Sequence, residues 1–142
     1  MKHARVHHVG LWVDDVDAMM TFLVDVMGFR LLTRNPRGIV GAGERIFVQT
    51  EDDQLIEILT EPNAQPRPDF AVHPSGHVVG VPHLCFQVTD LLAWREKVEA
   101  LGYAVSRPMP ENGYMASELG ALRLVWFEGP SGVGFELFEF EN

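Results

Sequence analysis

Residues 6–34 read VHHVGLWVDDVDAMMTFLVDVMGFRLLTR, and residues 81–107 read VPHLCFQVTDLLAWREKVEALGYAVSR. The two stretches follow one pattern. His8 aligns with His83, Val13 with Val88 and Asp15 with Asp90. Gly28 then matches Gly102 once a single residue is dropped from the segment between. Each copy opens with alternating apolar residues, the period of a strand. It continues through an aspartate into Val16, Met19, Met20, Leu23 and Val26, or Leu91, Trp94, Val98 and Leu101, the period of a helix. Asp14 or Asp15, and Thr89 or Asp90, suit the helix N-cap, where a side-chain oxygen takes up a free N–H. Gly28 and Gly102 suit the left-handed residue that ends a helix. Another short strand follows each glycine.

Working outward, two more strands complete each copy. In the first they fall at about Arg45–Thr50 and Gln54–Thr60, with a turn at Glu51–Asp53. In the second they fall at about Ala121–Phe127 and Gly134–Phe140, with a turn at Gly129–Gly132. The sequence therefore predicts an α+β fold of two tandem βαβββ modules. Module one covers about 5–61 and module two about 81–142. The joining segment, about 62–80, contains Pro62, Pro66, Pro68 and Pro74 and reads as an ordered linker or pocket wall. Pro108–Gly120 reads as a second irregular stretch. Both are candidate lids.

Each module carries a histidine in its first strand and a glutamate in its last, His8 and Glu57, then His83 and Glu136. Strand alternation places them on one face. Val9, Leu11 and Val13 form the apolar face of the first strand, opposite His8, Gly10 and Trp12. Leu84, Phe86 and Val88 likewise oppose His83, Cys85 and Gln87. Ile56 and Ile58 oppose Glu57; Phe135 and Leu137 oppose Glu136. His7 falls on the Val9 side and is assigned a surface or structural role. Glu139 falls on the Phe135 side, where its place near the chain end lets it reach solvent. Curved into an open, U-shaped mixed β-barrel with helices outside, the other face would bring two imidazoles and two carboxylates together. That donor set suits one divalent metal ion, Zn, Ni, Co, Mn or Fe. Without an ion, two inward glutamates carry a desolvation cost.

The remaining composition narrows the field. The chain has 142 residues, 46% of them hydrophobic, and a formal net charge of −9. An acidic surface disfavours phosphate backbones, so nucleic acid is not expected. No apolar run reaches the ~20 residues a membrane helix needs, so no membrane is expected. Cys85 is the single cysteine, so no disulfide forms within the chain. It reads as a small inward residue rather than a nucleophile. No signal-peptide pattern is evident, and the cytoplasm is the expected location.

The segments HVGLWVDDVDAMMTFLVDVMGF, PHLCFQVTDL, QLIEILTEP and EGPSGVGFELFEF resemble the vicinal oxygen chelate superfamily of glyoxalases, bleomycin-resistance proteins and extradiol dioxygenases. The resemblance covers nearly the whole chain. The family's usual DPDG-like turn is replaced here by Glu128-Gly129-Pro130-Ser131-Gly132. In that family the metal binds two oxygens of a substrate or intermediate. The resemblance implies a lyase or isomerase of the glyoxalase type acting on a small molecule, with Glu136 or Glu57 as the proton-moving group. It also leaves two alternatives: an Fe(II) ring-cleavage dioxygenase, or a non-catalytic binding and resistance protein. Members commonly form dimers, which implies a homodimer. Trp12, Gln87, Phe47 and Tyr114 are the expected substrate-pocket residues, with Trp126 and Phe138 as further aromatic candidates. His73 and His77, in the joining segment, read as solvated or pocket-wall residues rather than ligands.

Overall fold

The structure is a computed structural model that describes residues 4–38, 41–65, 81 and 83–141. The joining segment beyond residue 65, with His73 and His77, lies outside the described residues. The chain divides into two compact units, Met1–Pro68 and Asp69–Asn142.

Unit one runs β1 (His8–Trp12), α1 (Val16–Met20), β2 (Arg30–Pro36), β3 (Glu44–Gln49) and β4 (Leu55–Leu59). Its sheet has the order β1-β4-β3-β2, with β1 parallel to β4 and the other pairings antiparallel. Asp15 caps α1, its carboxylate accepting the Ala18 N–H at 2.9 Å. From Thr21 to Val26 the helix continues as a π-helix. This wider winding accommodates the one residue by which the first copy exceeds the second between its aspartate and its glycine. Gly28 ends the helix at φ 78°. Met19, Phe22, Leu23 and Val26 are buried with Ile46, Val48, Ile56 and Ile58. Alternation in β4 is as expected: Ile56 and Ile58 face the core, and Glu57 stays partly open. Val9 departs from its expected burial. It is 38% exposed, and the apolar face of β1 is buried only toward its end, at Val13.

Unit two repeats this order with β5 (Leu84–Gln87), α2 (Leu91–Ala100), β6 (Met115–Ser117), β7 (Gly120–Glu128) and β8 (Gly134–Phe140). Its sheet, β5-β8-β7-β6, has the same pairing directions. The chain is thus a tandem of βαβββ modules carrying two four-stranded mixed sheets. Asp90 caps α2 by accepting the Ala93 N–H at 3.2 Å, and Gly102 follows the helix at φ 89°. Helix α2 packs on β7 and β8, burying Leu91 and Val98. Leu101, expected on that stripe, is exposed because it sits at the helix C-cap. Phe135 is fully buried between Phe127 and Phe86, with ring centroids at 5.5 and 6.3 Å.

Two expectations for unit two are corrected. The strand expected after Gly102 survives only as isolated bridges, Val105 to Phe127 and Met109 to Leu124. Pro108 and Pro110 lack the N–H a continuous ladder needs. The paired strand is Met115–Ser117, inside the stretch read as irregular. Glu139, expected to reach solvent, is buried. It accepts the Asp90 N–H at 2.7 Å and pairs with Arg123 at 2.7 Å. Its charge is therefore spent inside the unit, tying β8 to β7 and to the start of α2. Among the described residues, no helix is long and apolar enough to cross a membrane.

Candidate metal centre

The register explains how each His–Glu pair forms. In unit one Gly10 on β1 and Phe47 on β3 both lie opposite Glu57 on the middle strand β4. His8, two residues before Gly10, shares its face. Its Nε2 comes within 3.3 Å of Glu57 Oε2. Gly10 leaves the carboxylate room, since a Cβ there would sit 3.5 Å from Oε2. The Phe47 ring meets the His8 ring edge to face at 5.7 Å. His8 Nδ1 lies 2.9 Å from His7 Nδ1. With the shared hydrogen on His8, its Nε2 keeps a lone pair directed at the glutamate side.

Unit two builds the equivalent arrangement with different side chains. Cys85 on β5 and Trp126 on β7 lie opposite Glu136 on β8. His83 Nε2 is 3.6 Å from Glu136 Oε2, and its ring meets Trp126 edge to face at 5.2 Å. The Trp126 indole N–H donates to Glu136 Oε2 at 3.1 Å, and the Cys85 thiol donates to Oε1 at 3.0 Å. Burial, and then the adjoining carboxylate, push the Cys85 thiol up to about 12, so it is a protonated donor at neutral pH. His83 Nδ1 is buried and has no hydrogen-bond partner among the described residues.

These donors suit a divalent cation. Two ligands about 2.1 Å from one tetrahedral ion lie about 3.4 Å from each other. The Nε2 to Oε2 separations of 3.3 and 3.6 Å fall on either side of that span. At 3.6 Å the His83–Glu136 pair is too long for a hydrogen bond, and the buried Nδ1 of His83 has no partner among the described residues. Glutamate side chains 15% and 19% exposed would otherwise carry their charge against the sheet with little solvation. Among the described residues, no three or more His, Cys, Asp or Glu side chains gather to hold a metal. The donors come as one pair in each unit.

The sequence of this chain matches the Glyoxalase/Bleomycin resistance protein/Dioxygenase superfamily over residues 5–137. The chain belongs to that superfamily. Solved structures agree at the level of the fold. A glyoxalase family protein from Enterococcus faecalis superposes with a TM-score of 0.71 at 21% identity, covering 95% of this chain and 97% of that one. A glyoxylase/bleomycin resistance protein/dioxygenase domain from Frankia sp. EAN1pec gives 0.71 at 19% identity, covering 99% and 100%. The fosfomycin resistance protein FosX from Listeria monocytogenes, complexed with Mn(II) and sulfate ion, gives 0.67 at 18% identity, covering 99% and 95%. No curated protein is significantly similar to the sequence.

The other expected superfamily-site residues fall as follows. Phe47 stands against His8. Trp12 continues the His8 and Gly10 face of β1, is 53% exposed, and has the Arg37 guanidinium over its ring at 4.7 Å. Gln87 is exposed on the Cys85 face of β5. Tyr114 meets Arg123, whose carbon Cζ lies 5.1 Å from the ring. Arg123 reaches Glu139, which alternates to the opposite face of β8 from Glu136. The hydrogen bonds of Cys85 and Trp126 to Glu136 are not evident from local sequence pattern. The repeat held the signal: Cys85 stands at the place of Gly10, beside the glutamate.

Proposed function

We propose that the protein is a metal-dependent enzyme of the glyoxalase type, a lyase or isomerase that acts on a small substrate with vicinal oxygens. The observation that carries this reading is the recurrence of one imidazole–carboxylate pair at equivalent register in both modules, at ligand-to-ligand distances. Structures of relatives such as FosX with Mn(II) support a divalent ion, as does the superfamily itself.

In this reading His8 with Glu57, and His83 with Glu136, are the metal-ligand pairs, for a divalent ion that is one of Zn, Ni, Co, Mn or Fe. When bound, the ion supplies Lewis acidity that polarises the substrate oxygens and acidifies the neighbouring C–H. The imidazoles would bind through Nε2, and a hydrogen given by His8 Nδ1 to His7 would leave that nitrogen free. A glutamate, Glu57 or Glu136, takes the substrate proton on a carboxylate oxygen and returns it. Phe47 and Trp126, whose rings meet His8 and His83, with Trp12 on the His8 face of β1, would line the substrate pocket. Cys85, the single cysteine and held as a thiol, suits a reducing cytoplasm. The exposed Val9 on β1, at the edge of its sheet, suits association into a homodimer.

The test is turnover by protein stripped with a chelator and reloaded with single metals, on a panel of hemithioacetals and acyl thioesters. Activity lost on stripping and regained on reloading, independent of oxygen, supports the proposal. Oxygen-dependent cleavage of catechols with iron alone would replace it with the dioxygenase reading. Tight small-molecule binding with no metal requirement would replace it with a binding and resistance role.

A further inference from the structure

The two half-sites are built on the same register and differ in what flanks the glutamate. Each glutamate sits on the middle strand of its trio, with one residue directly opposite on either side. For Glu57 these neighbours are Gly10 and Phe47, neither with a polar side chain. Among the described residues, the polar contact of the Glu57 carboxylate is with His8. For Glu136 the neighbours are Cys85 and Trp126, and each places a hydrogen on a different carboxylate oxygen, at 3.0 and 3.1 Å. A carboxylate oxygen has two lone-pair sites, so these bonds fix the group and leave each oxygen a lone pair for another partner.

We infer that Cys85 and Trp126 are positioning residues that lock the Glu136 carboxylate in one orientation, a restraint that no described residue places on Glu57. This rests on the reading of Glu136 as a ligand given above. A group that holds an ion gains from having its rotamer fixed in advance. A residue serving only to fill space would not need a hydrogen directed at Oε1.

The experiment measures Mn(II) affinity of the full chain by electron paramagnetic resonance for wild type, Trp126→Phe, Cys85→Ala and Cys85→Ser. Trp126→Phe reproduces the residue found opposite Glu57. It and Cys85→Ala should each weaken binding about 10–100-fold, the usual effect of removing a group that orients a ligand. Cys85→Ser, which keeps a donor, should recover most of the loss. In parallel, metal-free protein is compared with Glu136→Ala by NMR of the indole N–H groups. The Trp126 signal should lose its exchange protection in the variant, while those of Trp12 and Trp94 stay unchanged. Unaltered Mn(II) affinity in Trp126→Phe and Cys85→Ala, or unaltered Trp126 exchange in Glu136→Ala, overturns the inference. If wild type takes up no metal, the ligand reading fails, and the indole comparison still decides whether Glu136 is held.

Discussion

Replacing Glu139 with glutamine tests how the register around Glu136 is maintained. Arg123 places Nε at 2.8 Å and Nη2 at 2.7 Å from Glu139 Oε2, while the Asp90 N–H reaches Oε1 at 2.7 Å. Glutamine keeps an acceptor for Asp90 and loses the charge opposite Arg123. Breaking a fully buried pair costs about 3–5 kcal/mol, and an exposed pair contributes about 0–1 kcal/mol. The two side chains are 20% and 10% exposed, so the loss lies between, at about 2 kcal/mol. For a chain of this length that lowers the melting temperature by roughly 6–10 °C. The pH dependence has a definite sign. Burial pushes the Glu139 carboxyl up, but Arg123 and the N–H groups of Asp90 and Leu91 outweigh it and hold it below the ordinary carboxylate range. A carboxyl lowered in the folded state stabilises above its unfolded pKa, and that contribution disappears as pH falls through the folded value. The gap between wild type and variant is therefore full at neutral pH and closes in acid, below about pH 4. Circular dichroism melts across this range measure it. A variant melting within about 2 °C of wild type at pH 7, or a gap unchanged down to pH 3, would refute the reasoning.

Phe135→Ala empties a fully buried site stacked on Phe127 and Phe86, and should cost about 3–5 kcal/mol in urea unfolding. Asp15→Ala removes the acceptor of the Ala18 N–H and should lower stability by about 1 kcal/mol in the same measurement, with Asp15→Asn near wild type. Arg34→Ala breaks the pair with Glu44, whose side chains are 40% and 34% exposed, so denaturant unfolding should show a loss of no more than about 1 kcal/mol, shrinking further in high salt.

The parts of the fold that follow from local rules were readable in the sequence. Asp15 and Asp90 cap their helices and Gly28 and Gly102 end them, because both roles depend on one residue and its own backbone. Alternation correctly separated Ile56 and Ile58 from Glu57, and Phe135 and Leu137 from Glu136. What escaped was set by partners distant in sequence. Met115–Ser117 forms a strand because β7 lies beside it, although the flanking prolines and glycines read as loop. Glu139 is buried because Arg123 and the start of α2 meet it there. The π-helical turn follows from a length mismatch visible only when the two copies are compared. His8 with Glu57 and His83 with Glu136 were paired by the repeat, and the structure places each pair within 3.6 Å. The donors fixing Glu136 required cross-strand register, which no local pattern encodes.

The most direct test of the central claim is the metal content of protein purified without added metal, measured by elemental analysis for wild type, His8→Ala and His83→Ala. Metal held by these imidazole–carboxylate pairs predicts a divalent ion in wild type as purified and a loss of most of it in either variant. Absence of metal in wild type, or full retention in both variants, would contradict it.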